Sequence, residues 1–233
     1  MVRDLTPVGD SVHGFVLSPA GDRIATATIP ATVRLWDLAT GAERPAFDGH
    51  HSSVRWLQFT PDGRTLNSRS YDGAVRRWRA RTGEPLGEVA AGRGYFAASP
   101  DGRRWAVCDF RSEAWGAPGR ERLPTDLRIL GPATGESLHK LTGPYGPAQA
   151  LTFSADGRRV VTLTADRTVR GWDVAGGQVL WAVKAPAWTR LIGLTPDGRR
   201  LLTGEEGVLC TRDMDTGQAV GTWDLATAGL TPT

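Results

Sequence analysis

The stretch GHHSSVRWLQFTPDGRTLNSRSYDGAVRRWRARTGEPLGEV, residues 49–89, decides the fold. Its first apolar segment, Val54-Arg55-Trp56-Leu57-Gln58-Phe59, is short and rich in aromatic and branched residues. Asp62-Gly63 then supplies the positive φ that a tight hairpin needs. Thr65-Leu66-Asn67-Ser68 runs to a second turn at Tyr71-Asp72-Gly73. Ala74-Val75-Arg76-Arg77-Trp78 alternates apolar and polar residues, which is strand periodicity. Thr82-Gly83 turns again, and Glu84 to Val89 makes a fourth short strand. Four strands of about five residues joined by Gly-rich turns form a meander, with no room for a helix of about ten residues.

The same pattern occurs five times along the chain. Its first turn reads SPAGDR from Ser18, TPDGRT from Thr60, SPDGRR from Ser99, SADGRR from Ser154 and TPDGRR from Thr195. The second reads WDLATG from Trp36, WRARTG from Trp78, LGPATG from Leu130, WDVAGG from Trp172 and RDMDTG from Arg212. Gly21, Gly63, Gly102, Gly157 and Gly198 are separated by 42, 39, 55 and 41 residues. A period of that size marks an array of one supersecondary unit. A lone meander cannot bury both faces, so neighbouring sheets must cover it, and radial stacking into a β-propeller does this.

These residues resemble the WD-repeat family, over residues ~2–223. The family pattern links a Gly-His ahead of strand one with a strand-two Ser/Thr, a turn Asp and a strand-three Trp. Gly49-His50, Ser68, Asp72 and Trp78 occupy those places, with Trp78 28 positions after His50. The fourth repeat keeps Thr162, Asp166 and Trp172 without the His, and the first keeps Thr26 and Trp36 with Pro30 where Asp would stand. Repeats three and five depart further, with Leu130 and Arg212 in the Trp position. Trp223-Asp224 is a decoy: Trp223 aligns with Phe47, Val89, Leu141 and Val183 and belongs to a fourth strand.

The resemblance implies an all-β propeller of five four-stranded blades in one domain, 1–233, with repeats at 2–47, 48–89, 90–141, 142–183 and 184–223 and a tail at 224–233. Residues Arg3-Asp4-Leu5-Thr6 align with a further fourth strand, one more than five blades use. Either that strand is an extra edge, open to self-association, or the chain is the later part of a longer propeller.

Composition narrows the function classes. No apolar run approaches the ~18 residues of a membrane span, and Met1-Val2-Arg3-Asp4 opens no signal peptide. Cys108 and Cys210 lie in different repeats and match no metal spacing, so two free thiols in the cytoplasm are expected. The formal charge of +3 is modest, and lysine occurs only at 140 and 184. G-x-S-x-G, H-E-x-x-H, the Walker phosphate loop and Cys-x-x-Cys are all missing from the sequence. Gly92-Arg93-Gly94 is a fragment of a dinucleotide loop without a following helix. The expectation is a protein without enzymatic activity, cofactor or metal. A propeller hydrolase using carboxylates such as Glu205 and Glu206 at a channel mouth is the enzymatic alternative.

Strand alternation sorts the loops. The links between strands one and two, and three and four, are short Asp-Gly and Thr-Gly turns on one face. The remaining links share the other face and carry His51, Tyr71, Arg93, Arg111, Trp115, Tyr145, Arg167, Lys184, Trp188, Glu205 and Glu206. Aromatic residues and Arg dominate binding hot spots, so Tyr71, Arg93, Arg111, Trp115, Tyr145, Arg167 and Trp188 are the candidate contacts for a protein partner. The long insertion at 109–124, containing Trp115, is the expected protruding element. On the short-turn face, Arg23, Arg64, Arg103, Arg104, Arg158, Arg159, Arg199 and Arg200 offer a rival polyanion surface. Asp22, Asp62, Asp101, Asp156 and Asp197 in the same turns oppose that field, so nucleic acid is disfavoured.

Overall fold

The computed structural model describes residues 12–28, 31–47, 49–108, 127–141, 148–195, 197–205 and 207–224. The segments 2–6, 109–124 and 142–147, and with them Arg111, Trp115 and Tyr145, lie outside the described residues.

The described residues are all-β and form five four-stranded antiparallel sheets, each of the kind that makes a WD-repeat propeller blade. The first contains β1 (Val12–Leu17), β2 (Arg23–Thr28), β3 (Thr32–Asp37) and β4 (Glu43–Phe47). The second contains β5 (Val54–Phe59), β6 (Thr65–Ser70), β7 (Ala74–Arg79) and β8 (Pro85–Ala90). The third contains β9 (Tyr95–Ala98), β10 (Trp105–Cys108), β11 (Leu127–Leu130) and β12 (Ser137–Leu141). β13 (Ala148–Phe153), β14 (Arg159–Thr164), β15 (Thr168–Asp173) and β16 (Val179–Lys184) form the fourth. β17 (Arg190–Leu194), β18 (Arg200–Glu205), β19 (Val208–Asp213) and β20 (Ala219–Asp224) form the fifth. Each sheet is a meander in sequence order. The chain divides into two compact units, Met1–Arg93 with two sheets and Gly94–Thr233 with three.

The strand one–two turns are locked by one repeated device. The hydroxyls of Ser18, Thr60, Ser99, Ser154 and Thr195 donate to Asp22, Asp62, Asp101, Asp156 and Asp197 at 2.5–2.7 Å. Each hydroxyl also accepts the backbone N–H five residues on, as Thr65 N does to Thr60. The glycine in each turn sits at φ 65–68°, the left-handed region that a Cβ disfavours.

The core lies between sheets. In the first unit Ala25, Val33, Leu35 and Phe47 of one sheet pack with Val54, Phe59, Leu66 and Trp78 of the next. Phe47 meets Trp78 edge-on with ring centroids 5.5 Å apart. In the second unit Ile129 and Leu141 pack with Val160 and Trp172, and Val169 and Trp181 with Leu201 and Met214. The strand-three tryptophans are buried, and each donates its indole N–H to a strand-two hydroxyl. Trp36 reaches Thr26 at 3.1 Å, Trp78 reaches Ser68 at 2.8 Å, and Trp172 reaches Thr162 at 3.0 Å.

The degenerate third repeat keeps this packing by a swap. In the other tryptophan-bearing sheets an aliphatic residue on strand two pairs with Trp on strand three: Ile24 with Trp36, Leu66 with Trp78, Val160 with Trp172. In the third sheet Trp105 on strand two pairs with Leu130 on strand three. Both are fully buried, so the volume of the pair is conserved. Among the described residues the indole N–H of Trp105 has no partner, and Val107 stands at the strand-two position where Thr26, Ser68 and Thr162 supply a hydroxyl. The fifth repeat solves the same position with charge: Arg212 donates to Glu205 at 2.5 Å, and both side chains are largely buried. Trp223 pairs with Leu209 on a fourth strand, as its alignment requires.

Trp78→Ala removes a buried indole and its hydrogen bond, and urea denaturation is expected to show a loss of about 3–5 kcal/mol. A change within about 0.5 kcal/mol would place Trp78 at the surface instead. The swapped pair gives a sharper test. Trp105→Leu leaves a void and Leu130→Trp overpacks, so each single change destabilises. The double variant restores the pattern of the other sheets and is expected to recover at least about 1 kcal/mol relative to additivity.

Candidate functional site

Two arrangements bear on function: a buried polar network and an exposed cleft. In the second repeat His50 is buried and placed between Asp72 and Ser68. Its Nδ1 lies 3.0 Å from Asp72 Oδ2, and its Nε2 lies 2.8 Å from Ser68 Oγ, which accepts the indole N–H of Trp78. Donation from Nδ1 to Asp72 is the tautomer assigned by these partners, because it leaves Nε2 to accept from the Ser68 hydroxyl. Arg76 Nη1 stands 2.7 Å from Asp72 and 2.5 Å from His50.

Burial resists ionisation of Asp72, but the backbone N–H groups of Ala74 and His51, together with His50 and Arg76, outweigh it. The carboxyl is therefore held far below the usual carboxylate range. Burial pushes the His50 imidazole below its ordinary value, and the hydrogen bond to Asp72 offsets this only in part. The fourth repeat lacks the His, and its network divides in two. Trp172 binds Thr162, while Asp166 is held separately by Arg170, Thr168 and Thr164. Without an imidazole to bridge them, the turn and the indole are secured independently.

The exposed cleft lies in the second unit, on the side of the strand two–three turns and inter-repeat links. It encloses about 250 Å³ and is lined by Arg167, Trp188 and Arg190, with Gln149, Leu163, Ala165, Pro186 and Thr189. Two candidates chosen from sequence, Arg167 and Trp188, thus meet at one place. They are also the non-glycine residues with positive φ among the described residues, at 61° and 63°. Left-handed backbone costs a residue with a side chain about 1–2 kcal/mol. Trp188 is nevertheless 79% exposed, so burial of its ring does not offset that cost. Strain at an exposed aromatic beside two guanidiniums is a pattern of binding sites.

The strain at Arg167 has a signal in the sequence that strand alternation misses. Arg167 stands where the second and fifth repeats have Gly73 and Gly207, at φ 91° and 82°. The turn geometry is shared: Arg167 N donates to Thr164 O as Gly73 N does to Ser70 O. Trp188, within Ala187-Trp188-Thr189, has no neighbouring residue type that announces its backbone.

In the first unit Tyr71 is 49% exposed, and the Arg55 guanidinium lies 4.8 Å above its ring, a contact absent from the sequence reading. Arg93 is exposed and lies against Gly73. Glu205 is tied to Arg212 and Thr203, which leaves this carboxylate engaged in a structural pair. Glu206 lies outside the described residues. Cys108 and Cys210 are buried free thiols. Among the described residues, no cluster of three or more His, Cys, Asp or Glu is placed to hold a metal ion.

The family model "WD domain, G-beta repeat" matches residues 42–79 and 135–173, the segments that hold Trp78 and Trp172. The chain carries WD repeats at these residues. It is 37% identical to coronin-7 of Pongo abelii over 100 residues, covering 41% of this chain and 11% of that protein. It is 25% identical to WD repeat-containing protein SL1-17 of Schistosoma mansoni over 168 residues, 70% of this chain and 51% of the relative. Against nuclear distribution protein PAC1 of Arthroderma otae it is 24% identical over 211 residues, 90% of this chain and 37% of the relative. The chain thus spans about half or less of the curated relatives it matches. No helix among the described residues is long and apolar enough to cross a membrane.

The WD-repeat network predicts a pH dependence. His50 is depressed in the folded state, so the unfolded chain takes up its proton first, near the ordinary value of about 6.5. Its contribution is present above that value and lost as pH falls through it. Asp72 loses its contribution in the same direction, but only below about pH 4. Urea midpoints are expected to fall between about pH 8 and about pH 5.5 in the native chain, and to fall less in His50→Gln. An equal slope in both proteins would remove His50 from the linkage.

Proposed function

We propose that this WD-repeat chain is a non-catalytic protein-interaction scaffold that presents the strand two–three turns and inter-repeat links to a protein partner. The observation that carries this reading is the convergence of Arg167 and Trp188, both in left-handed backbone, on one open cleft. Strain that no local packing repays fits a surface whose stabilising contacts come from a bound partner. Aromatic and Arg anchors of this kind supply much of the energy of typical interfaces, about 2 kcal/mol or more each. Tyr71, stacked under Arg55, offers a second anchor in the first unit. The 109–124 insertion, with Arg111 and Trp115, and Tyr145 belong to the same proposal on sequence grounds. Two buried free thiols fit a reducing compartment, and we place the protein in the cytoplasm on that ground.

Arg167→Gly is the informative variant. It deletes the guanidinium and gives the backbone the residue that Gly73 and Gly207 already provide there. Folding stability is expected to stay level or rise, while affinity for a partner obtained by affinity capture falls. Trp188→Ala is expected to weaken binding about thirtyfold, or ~2 kcal/mol. Arg158→Ala with Arg199→Ala, on the short-turn side, is expected to change it little. Loss of binding in the Arg158/Arg199 variant alone, with Trp188→Ala unaffected, would move the interface to the other face.

A further inference from the structure

The short-turn side contains two clefts of the same construction and opposite charge. One lies between the first and second sheets of the first unit and encloses about 460 Å³. The other lies between the fourth and fifth sheets of the second unit and encloses about 270 Å³. Their frames correspond atom for atom at one point. Arg23 Nη1 donates to Ala80 O at 3.3 Å in the first, and Arg159 Nη1 donates to Met214 O at 2.9 Å in the second. Asp62, Gly63 and Arg64 correspond to Asp197, Gly198 and Arg199.

The difference is in the strand three–four turn. The second unit has Asp213 and Asp215 there, and Asp215 pairs with Arg159. The first unit has Arg79 and Arg81 at those two positions. Five guanidiniums, those of Arg23, Arg44, Arg64, Arg79 and Arg81, therefore line its cleft. Three carboxylates oppose them, and each is already engaged. Asp22 accepts from Ser18 and Arg23, Asp37 from the Thr40 backbone and hydroxyl, and Asp62 from Thr60 and the Arg64 backbone. Arg79 leans on Glu84 through an exposed pair, which contributes little. Among the described residues, the Arg64 and Arg81 side chains make no hydrogen bond and no ion pair within about 4 Å, although the Arg64 charge acts on Asp62 across the turn.

This charge comes at the expense of a turn. Asp213 accepts the backbone N–H groups of Asp215 and Thr216 and the Thr216 hydroxyl, and Asp37 does the same for Ala39 and Thr40. Arg79 cannot accept, so the second repeat gives up that cap and places two like charges beside Arg23. A substitution that breaks a local rule without local compensation points to a use elsewhere.

We propose that the cleft between the first two sheets is a binding site for a phosphoryl group, with Arg64 and Arg81 as the primary ligands. A phosphate monoester carries about −1.5 to −2 charges near pH 7, matching a surplus of two guanidiniums. Its oxygens suit the planar fork of Arg. A single group avoids Asp22, Asp37 and Asp62, whereas an extended polyanion laid across the cleft meets them.

Titration calorimetry would use inorganic phosphate, a phosphoserine peptide, the same peptide unphosphorylated, and a single-stranded oligonucleotide. Saturable binding of phosphate and the phosphopeptide, without binding of the unphosphorylated peptide, is expected. Tighter binding of the phosphopeptide identifies a modified protein as the source, and equal binding identifies free phosphate or a small ester. Arg79→Asp with Arg81→Asp reproduces residues that the second unit already holds in this frame. It is expected to raise the urea midpoint by restoring the cap, while weakening phosphate binding at least about tenfold. Arg64→Gln is expected to weaken it comparably, and Arg199→Ala, in the acidic cleft, to leave it unchanged. The proposal fails if neither phosphate nor the phosphopeptide binds, or if the unphosphorylated peptide binds equally. It also fails if the Arg79/Arg81 variant folds and binds as before, or if the oligonucleotide alone binds.

Discussion

A four-stranded sheet has two faces and no means of covering either by itself. That constraint governs this chain. Its core is made between sheets: Phe47 against Trp78, Leu141 against Trp172, Trp181 against Met214. Burial of this kind is non-directional, so register must come from elsewhere. In the first, second and fourth sheets it comes from the indole N–H of the strand-three Trp, which is satisfied at only one neighbouring hydroxyl. A shift by one residue would turn that indole to the opposite face and leave the hydroxyl buried and unpaired.

The sequence made the five-fold repeat, the turn glycines, the strand order and the fourth-strand place of Trp223 readable, because each is written in local spacing. The hydroxyl–Asp turn recurs so regularly that even Asp22, displaced by two residues in Ala20-Gly21-Asp22, still takes the Ser18 hydroxyl. The Trp105–Leu130 exchange was not readable in the same way. Alignment on the Trp-Asp positions registers only that Trp is missing from strand three, and whether another strand supplies the volume depends on cross-strand pairing. Of the candidate contacts, Arg167 and Trp188 share a cleft, which spacing along the chain does not encode. Arg111, Trp115 and Tyr145 lie outside the described residues.

The two sides of the sheets treat backbone conformation differently. On the short-turn side every left-handed residue of the five strand one–two turns is glycine, and each turn closes on its own Ser or Thr and Asp. Such turns leave little freedom for contact, and their variation is in charge. On the other side Arg167 and Trp188 hold left-handed backbone with large side chains attached. The fold therefore tolerates strain on the side where the links vary and excludes it where they repeat.

The exchange between Trp105 and Leu130 bears on how such a chain can be recombined. Repeats of one ancestry invite the shuffling of pieces, and a strand is the smallest piece that carries the pattern. Joining β10 to a partner like β15 would set Trp105 opposite Trp172, and joining β14 to one like β11 would set Val160 opposite Leu130. One product is overfilled and the other hollow. The third repeat can therefore be copied, moved or replaced only with its second and third strands together, and the unit of inheritance in this array is the paired strand.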